Sequence, residues 1–219
     1  SNFYVIDYII FPGGLIVSSD FEVNEEASLI TVTVPEGITE GGPVAVKNGF
    51  GRALSPSDFN SASGLLCNFD DKNTYIWGSS LSSDAVSYPG ANGQFNILKK
   101  SDVGPSTWDW WANGMCCATG SASWMSAEEM SDNIADWAVK FELYVAKPWD
   151  SGFLLVNPNS AWNYTCRYAP WFVGEERTVY QPAGWNTVTL PLSQFRLKGT
   201  NGDGTAAQAL SIGNLINAD

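Results

Sequence analysis

Ala138-Val-Lys-Phe-Glu-Leu-Tyr-Val145 sets Val139, Phe141, Leu143 and Val145 on one face of an extended chain and Lys140, Glu142 and Tyr144 on the other. Successive side chains of a strand point to opposite faces, so this period of two marks a half-buried strand. The surrounding chain has the same character. Gln94-Phe-Asn-Ile-Leu98, Gly152-Phe-Leu-Leu-Val156 and Trp185-Asn-Thr-Val-Thr-Leu190 read as further short strands. One helical turn is expected near Ser126-Ala-Glu-Glu129, where Ser126 and Glu129 have capping-box spacing. With no long amphipathic helix in view, residues from Leu65 onward are expected to form a β-sandwich with long loops at 101–125 and 157–184. Loops on a rigid sandwich are where binding residues usually sit.

Upstream the pattern is again β. An apolar run from Phe3 to Phe11 stops at Pro12-Gly13-Gly14, and Leu15-Ile-Val17 and Phe21-Glu-Val23 follow as short extended pieces. Ile30, Val32 and Val34 alternate with Thr31 and Thr33, and Pro43-Val-Ala-Val-Lys47 is the next strand. These strands are fewer than the seven of an immunoglobulin-like sandwich, so residues 1–58 read as the closing part of such a domain. Residues 48–63 are rich in Gly, Ser and Pro and are expected to hold the joint. A second domain then runs over 59–219.

The chain has 219 residues, 44% of them hydrophobic, and a formal net charge of −12. That composition belongs to a folded globular protein rather than a disordered one. Eight acids face two bases over residues 1–60, and fifteen face nine over 61–219, so both parts carry −6. Without a basic stripe, nucleic acid and anionic polysaccharides are poor partners and a neutral glycan remains. No apolar run approaches the ~20 residues that cross a bilayer. Histidine is missing, which removes Ser-His-Asp and Cys-His machinery but not a carboxylate-pair glycosidase. Cys67, Cys116, Cys117 and Cys166 match no zinc signature. Buried free thiols are the plainer reading, and one bridge from Cys67 or Cys166 to the adjacent pair stays open.

All ten tryptophans lie between Trp77 and Trp185. Each ring covers roughly 150–250 Å², more than a core of this size needs tenfold over. Trp108-Asp-Trp-Trp111 and Trp162-Asn-Tyr-Thr-Cys-Arg-Tyr-Ala-Pro-Trp171 interleave rings with polar residues. That texture suits a flat, wet ligand offering C–H faces and hydroxyls together, as a sugar chain does. The candidate stacking platform is Trp108, Trp110, Trp111, Trp162, Tyr164 and Trp171. Candidate hydrogen-bonding partners at its edge are Asn113, Asn159, Asn163, Arg167 and Glu175. In an extended segment Trp108 and Trp110 share a face that Trp111 does not, so one side is core. Trp137, Trp149 and Trp185 sit in strand contexts and are expected to be structural, Trp171 is open between the two roles, and Trp162 is expected to be exposed.

The adjacent acids Asp70-Asp71, Glu128-Glu129 and Glu175-Glu176 would point to opposite strand faces, so no catalytic residue is assigned. Asp70, Asp71 and Asn73 form an oxygen-rich group, a weak calcium candidate without EF-hand spacing. No other cofactor is expected.

Phe-Pro-Gly-Gly (11–14), Ile-Thr-Val-Thr-Val-Pro-Glu-Gly (30–37) and Pro-Val-Ala-Val-Lys-Asn-Gly-Phe-Gly (43–51) resemble the closing half of an IPT/TIG immunoglobulin-like domain. Asn-Phe-Asp-Asp (68–71), the Trp-Asp-Trp-Trp stretch, Lys-Pro-Trp149, Arg-Tyr-Ala-Pro-Trp171 and residues 184–195 resemble another module. That module is the C-terminal glycan-binding domain of surface glycan-binding proteins in Bacteroidetes polysaccharide-uptake systems, of the xyloglucan-binding type. The resemblance implies an all-β, non-catalytic protein at the cell surface, lipid-anchored in the outer membrane, that holds polysaccharide beside a glycan importer. Two departures are expected: the anchor and most of the spacer lie outside this chain, and the chain ends at Leu-Ile-Asn-Ala-Asp without an evident final strand. The expected function is capture of a neutral β-glucan, xyloglucan or mixed-linkage glucan, by aromatic stacking. The alternatives are a glycoside hydrolase or lyase using acids such as Glu142 or Glu175, and an adhesin whose aromatic patch meets a protein.

Overall fold

A computed structural model describes residues 5–38, 41–60, 65–71, 75–77, 79–99, 117–119, 133–158, 163–198, 209–211 and 215. The chain divides into two compact units, Ser1–Ser63 and Gly64–Asp219. The elements among the described residues are strands and short 3-10 turns, so the architecture is all-β.

In the first unit, β1 (Tyr8–Ile10), β2 (Ile16–Val17), β5 (Gly42–Asn48) and β6 (Gly51–Phe59) form one antiparallel sheet in the order β2-β1-β5-β6. Strands β3 (Phe21–Val23) and β4 (Ile30–Val32) make a separate ribbon. Ile9, Phe11 and Val17 are buried, and Phe21, Ile30, Val32, Val44 and Phe59 pack against them, so sheet and ribbon share one core. Phe11 and Phe59 meet edge to face at 5.3 Å. The turn after Phe11 holds Gly13 and Gly14 at φ +77° and +78°, a region that L side chains avoid.

The expected joint at 48–63 is mostly strand. Asn48 Oδ1 accepts the backbone N–H groups of Phe50 (3.0 Å) and Gly51 (3.1 Å), reversing the chain into β6. Strand β6 then pairs with β5 through residues 51–54 and 58–59. Between Pro43 and Ala45 the register shifts, and Ser55 Oγ takes up the Val44 N–H at 2.9 Å. Small polar residues that look like a linker are therefore hydrogen-bonding partners of a bulged strand.

The second unit holds β7 (Tyr75–Trp77), β8 (Ser80–Ser82), β9 (Phe95–Ile97), β10 (Cys117–Thr119), β11 (Ala138–Tyr144), β12 (Leu154–Val156), β13 (Tyr164–Tyr168), β14 (Phe172–Val173), β15 (Glu176–Arg177), β16 (Trp185–Pro191) and β17 (Arg196–Leu197). Strands β7 and β10, β8 and β9, β11 and β16, and β14 and β15 pair antiparallel, while β13 is central to the sheet β12-β13-β17. Val139, Phe141 and Leu143 turn inward as the alternation requires. With Val188 and Leu190 they cover Tyr164, Cys166, Val156 and Leu197 of the facing sheet. A 3-10 turn at Leu192–Gln194 seats Leu192 and Phe195 at 0% exposure in the same core, and the Leu192 N–H donates to the Trp137 carbonyl at 2.8 Å. The opposite face of β11 and β16 pairs Tyr144 with Trp185. These two rings join Tyr88 and Phe95 in a set of contacts at 5.0–5.6 Å.

The expected long loop at 157–184 carries three strands instead. Tyr164, Cys166 and Tyr168 alternate with Thr165 and Arg167, a strand pattern obscured by its aromatic content. The helical turn expected near Ser126 to Glu129 lies outside the described residues.

Candidate functional site

The second aromatic stretch begins on β13. Asn163 is exposed just before the strand, and its carbonyl accepts the Lys198 N–H at 2.7 Å. Tyr164 is only 5% exposed and belongs to the core. The expectation of a ligand-facing ring is therefore not met at Tyr164, because the strand's period sends it inward with Cys166. Thr165 is fully buried, its Oγ1 donating to the Val156 carbonyl at 3.2 Å. Arg167 is exposed on the outward side, with its guanidinium 4.0 Å from the centre of the Phe153 ring. That stack fixes a planar set of donors beside an apolar face.

After β13 the chain turns at Ala169-Pro170 and enters the hairpin β14–β15. Trp171 is 2% exposed. Its Nε1 donates to the Gly152 carbonyl at 2.6 Å, and its own carbonyl accepts the Thr178 N–H (2.7 Å) and hydroxyl (3.1 Å). Trp171, left open by the sequence, is thus an anchor inside the unit and offers no stacking face. Phe172 and Val173 pair with Arg177 and Glu176 across a turn in which Gly174 stands at φ +65°. Glu175 is exposed at that tip. The Arg177 guanidinium lies 5.3 Å from the Trp171 ring and donates to the Asp150 carbonyl at 2.7 Å.

A second group of rings gathers at the base of this hairpin. Trp149 pairs with Tyr180 through two backbone hydrogen bonds of 3.1 and 2.9 Å. Its ring meets those of Tyr168 and Tyr180 at 6.0 and 6.1 Å, and its Nε1 donates to the Ser151 carbonyl at 2.6 Å. The Tyr168 hydroxyl donates to that of Tyr180 at 3.4 Å. Burial, helped by this hydroxyl partner, pushes the Tyr168 phenol upward, so it stays a neutral donor. Trp137 packs against the core, and Trp149 and Trp185 are half-buried in ring clusters.

The structure thus brings Arg167, Asn163 and Glu175 to the surface and takes Tyr164 and Trp171 away from it. Trp108, Trp110, Trp111, Trp162, Asn113 and Asn159 lie outside the described residues. Phe172, exposed, and Phe153, half-buried beneath Arg167, are rings outside the expected platform. The signal for Phe172 is the turn residue Gly174 between apolar and charged pairs, which predicts a hairpin.

The acids hold structure together. Glu142 Oε1 accepts the Thr187 hydroxyl at 2.6 Å across β11 and β16. Asp70 Oδ1 accepts the Gln94 N–H at 2.9 Å, and Asp71 Oδ1 accepts from Asn68 Nδ2 at 2.6 Å. Among the described residues no group of three His, Cys, Asp or Glu could hold a metal, and Asn73 lies outside them. Cys67 and Cys166 are free thiols, and burial raises both pKa values. Cys116 and the side chain of Cys117 lie outside the described residues.

One similar solved structure is a crystal structure with a xylogluco-oligosaccharide, at 14% identity and a TM-score of 0.46, covering 95% of this chain and 44% of the other. The present chain therefore spans less than half of that protein. A second is a crystal structure of domains CD (residues 230–489), at 16% identity and a TM-score of 0.44, covering 95% of this chain and 76% of that one. No curated protein matches the chain. Residues 59–215 match the family described as the surface glycan-binding protein B xyloglucan binding domain, and the chain belongs to that family of non-catalytic glycan-binding modules.

Proposed function

We propose that the second unit captures a neutral β-glucan, xyloglucan first and mixed-linkage glucan second, and presents it for uptake. The observation that carries this reading is the family match over residues 59–215. The acidic chain and its density of Trp fit a neutral polymer with stacking C–H faces. Trp108, Trp110, Trp111 and Trp162 form the stacking platform of this proposal, with Asn113, Asn159, Asn163, Arg167 and Glu175 at its edge. Arg167, held by Phe153, and Glu175, at the hairpin tip, are exposed as such a role requires. Tyr164 and Trp171 leave the platform because they are buried. Residues 1–58 serve as the closing part of an IPT/TIG spacer domain. The whole protein stands at the cell surface, lipid-anchored in the outer membrane beside a glycan importer.

Stacking on single rings is worth about 1 kcal/mol each, so binding should be micromolar or weaker unless several rings act together. Affinity electrophoresis through gels of xyloglucan, barley mixed-linkage glucan, hydroxyethyl cellulose, mannan, xylan or pectin tests the reading. Retardation by the neutral glucans is expected. Free migration through all six gels would remove it.

A further inference from the structure

The hairpin β14–β15 exposes more apolar surface than a structural turn needs. Phe172 is 51% exposed, Val173 62% and Val179 62%, within eight residues of chain. Scattered exposed apolar residues are ordinary, but a ring half in water on a short two-stranded ribbon with further exposed apolar residues close by in the chain is a candidate contact. A two-stranded ribbon is also marginal in water on its own. Here Trp171 fastens it to Gly152 and Thr178, and Arg177 fastens it to Asp150. The Phe172 N–H donates to the Ala169 carbonyl at 3.1 Å, and its ring leans edge-on against Trp171 at 5.7 Å. An exposed ring is therefore held rigid, so a ligand stacking on it loses little to the ordering of the protein.

From this geometry we infer that the hairpin is a second glycan contact, with Phe172 stacking one sugar ring and Glu175 and Arg177 engaging its hydroxyls. The inference rests on the proposed glucan binding and extends it to residues outside the tryptophan platform. The charge pattern selects the occupant. Glu175 and Glu176 outnumber Arg177 at the tip, which disfavours an acidic sugar. A second copy of a chain carrying −12 meets the same repulsion. A neutral pyranose, apolar on its face and hydroxylated at its rim, matches an aromatic ring whose cross-strand partner is Arg177, with Glu175 at the tip.

The test uses the whole chain and tamarind-type xyloglucan polymer, with association measured by titration calorimetry and affinity gels. Phe172→Ala should bind roughly three- to tenfold more weakly, the loss of one stacking contact. Its melting temperature should stay within a few degrees because the ring is half in water. Phe172→Trp should restore or exceed wild-type affinity by offering a larger ring. Wild-type affinity in Phe172→Ala, or no recovery in Phe172→Trp, overturns the inference while leaving the glucan reading intact. If the wild type itself fails to bind, it is the glucan reading that falls, and the inference with it. Sedimentation of the same proteins closes the remaining case: wild-type dimerisation that Phe172→Ala abolishes would assign the hairpin to a second copy and overturn the inference.

Discussion

The Trp171 indole Nε1 donates to the Gly152 carbonyl across 19 residues of sequence, at 2.6 Å and out of reach of water. This bond ties the exposed hairpin to the segment that leads into β12. Trp171→Ala removes both the bond and a fully packed ring, and should cost about 3–5 kcal/mol. Trp171→Phe keeps most of the packing and loses mainly the hydrogen bond, about 1 kcal/mol, with some excess for the unpaired Gly152 carbonyl. Thermal unfolding of the two variants should therefore separate clearly, with Trp171→Phe close to the wild type. Equal melting temperatures for both would mean that the indole does not anchor the hairpin.

Asp70 and Gly93 form a second clamp of this kind. Gly93 stands at φ +75°, and a Cβ there would collide with the Asp70 carboxylate, whose Oδ1 accepts the Gln94 N–H. Gly93→Ala suffers both backbone strain and collision, and should lose about 1–3 kcal/mol. In an Asp70→Ala background only the strain remains, so the substitution should cost less. A double-mutant cycle in denaturant measures the difference. Strict additivity would show that the carboxylate does not press on Gly93.

Residues 138–145 could be read because period-two alternation makes the same demand whatever packs against it. Strand β13 could not be read so directly. Tyr164, Cys166 and Tyr168 alternate as cleanly as Val139, Phe141 and Leu143, but tyrosines beside Thr165 and Arg167 are also what a sugar platform is made of. What decides their role is Leu197, Val188 and Leu190, core partners supplied from elsewhere in the chain. Strand β6 was hidden for the opposite reason, since its Ser and Gly content lacks a hydrophobic signal and its pairing depends on β5. At Trp171 and Phe172 the two roles sit on adjacent residues, 2% and 51% exposed. Composition cannot separate neighbours, whereas the direction of the chain at a turn does.

The Tyr168 phenol should make stability pH-dependent at the alkaline end. Burial and the Tyr180 hydroxyl raise its pKa above the ordinary value of 10.0. The unfolded chain therefore ionises first, and folding holds the neutral form. Stability from this group is fully present below pH 10 and declines as pH rises from there toward the folded pKa. Tyr168→Phe has no proton to lose, so its stability should fall less steeply over the same window. Cys67 and Cys166 contribute the same sign from about pH 9, their ordinary value of 9.0 also being raised by burial. They are present in both proteins, so the comparison isolates the phenol. Parallel stability curves for wild type and Tyr168→Phe above pH 10 would contradict the assignment.

Trp110 and Trp162 test the platform where Trp171 and Tyr164 no longer can. If these rings stack on glucan, Trp110→Ala or Trp162→Ala removes a contact made by solvent-facing area. Binding in a xyloglucan gel should then fall at least tenfold if neighbouring rings act together. Melting temperature should move by only a few degrees, because no packed volume is lost. A core ring gives the reverse pattern, a drop of about 3–5 kcal/mol in stability with binding lost only through unfolding. Trp171→Ala supplies the internal reference for that pattern, since its ring is buried. Calorimetric melts and gel retardation on the three variants side by side therefore sort platform from core. Should Trp110→Ala and Trp162→Ala both melt like Trp171→Ala, glucan contact would rest on the surface that remains, the Phe172 hairpin and the Phe153–Arg167 stack.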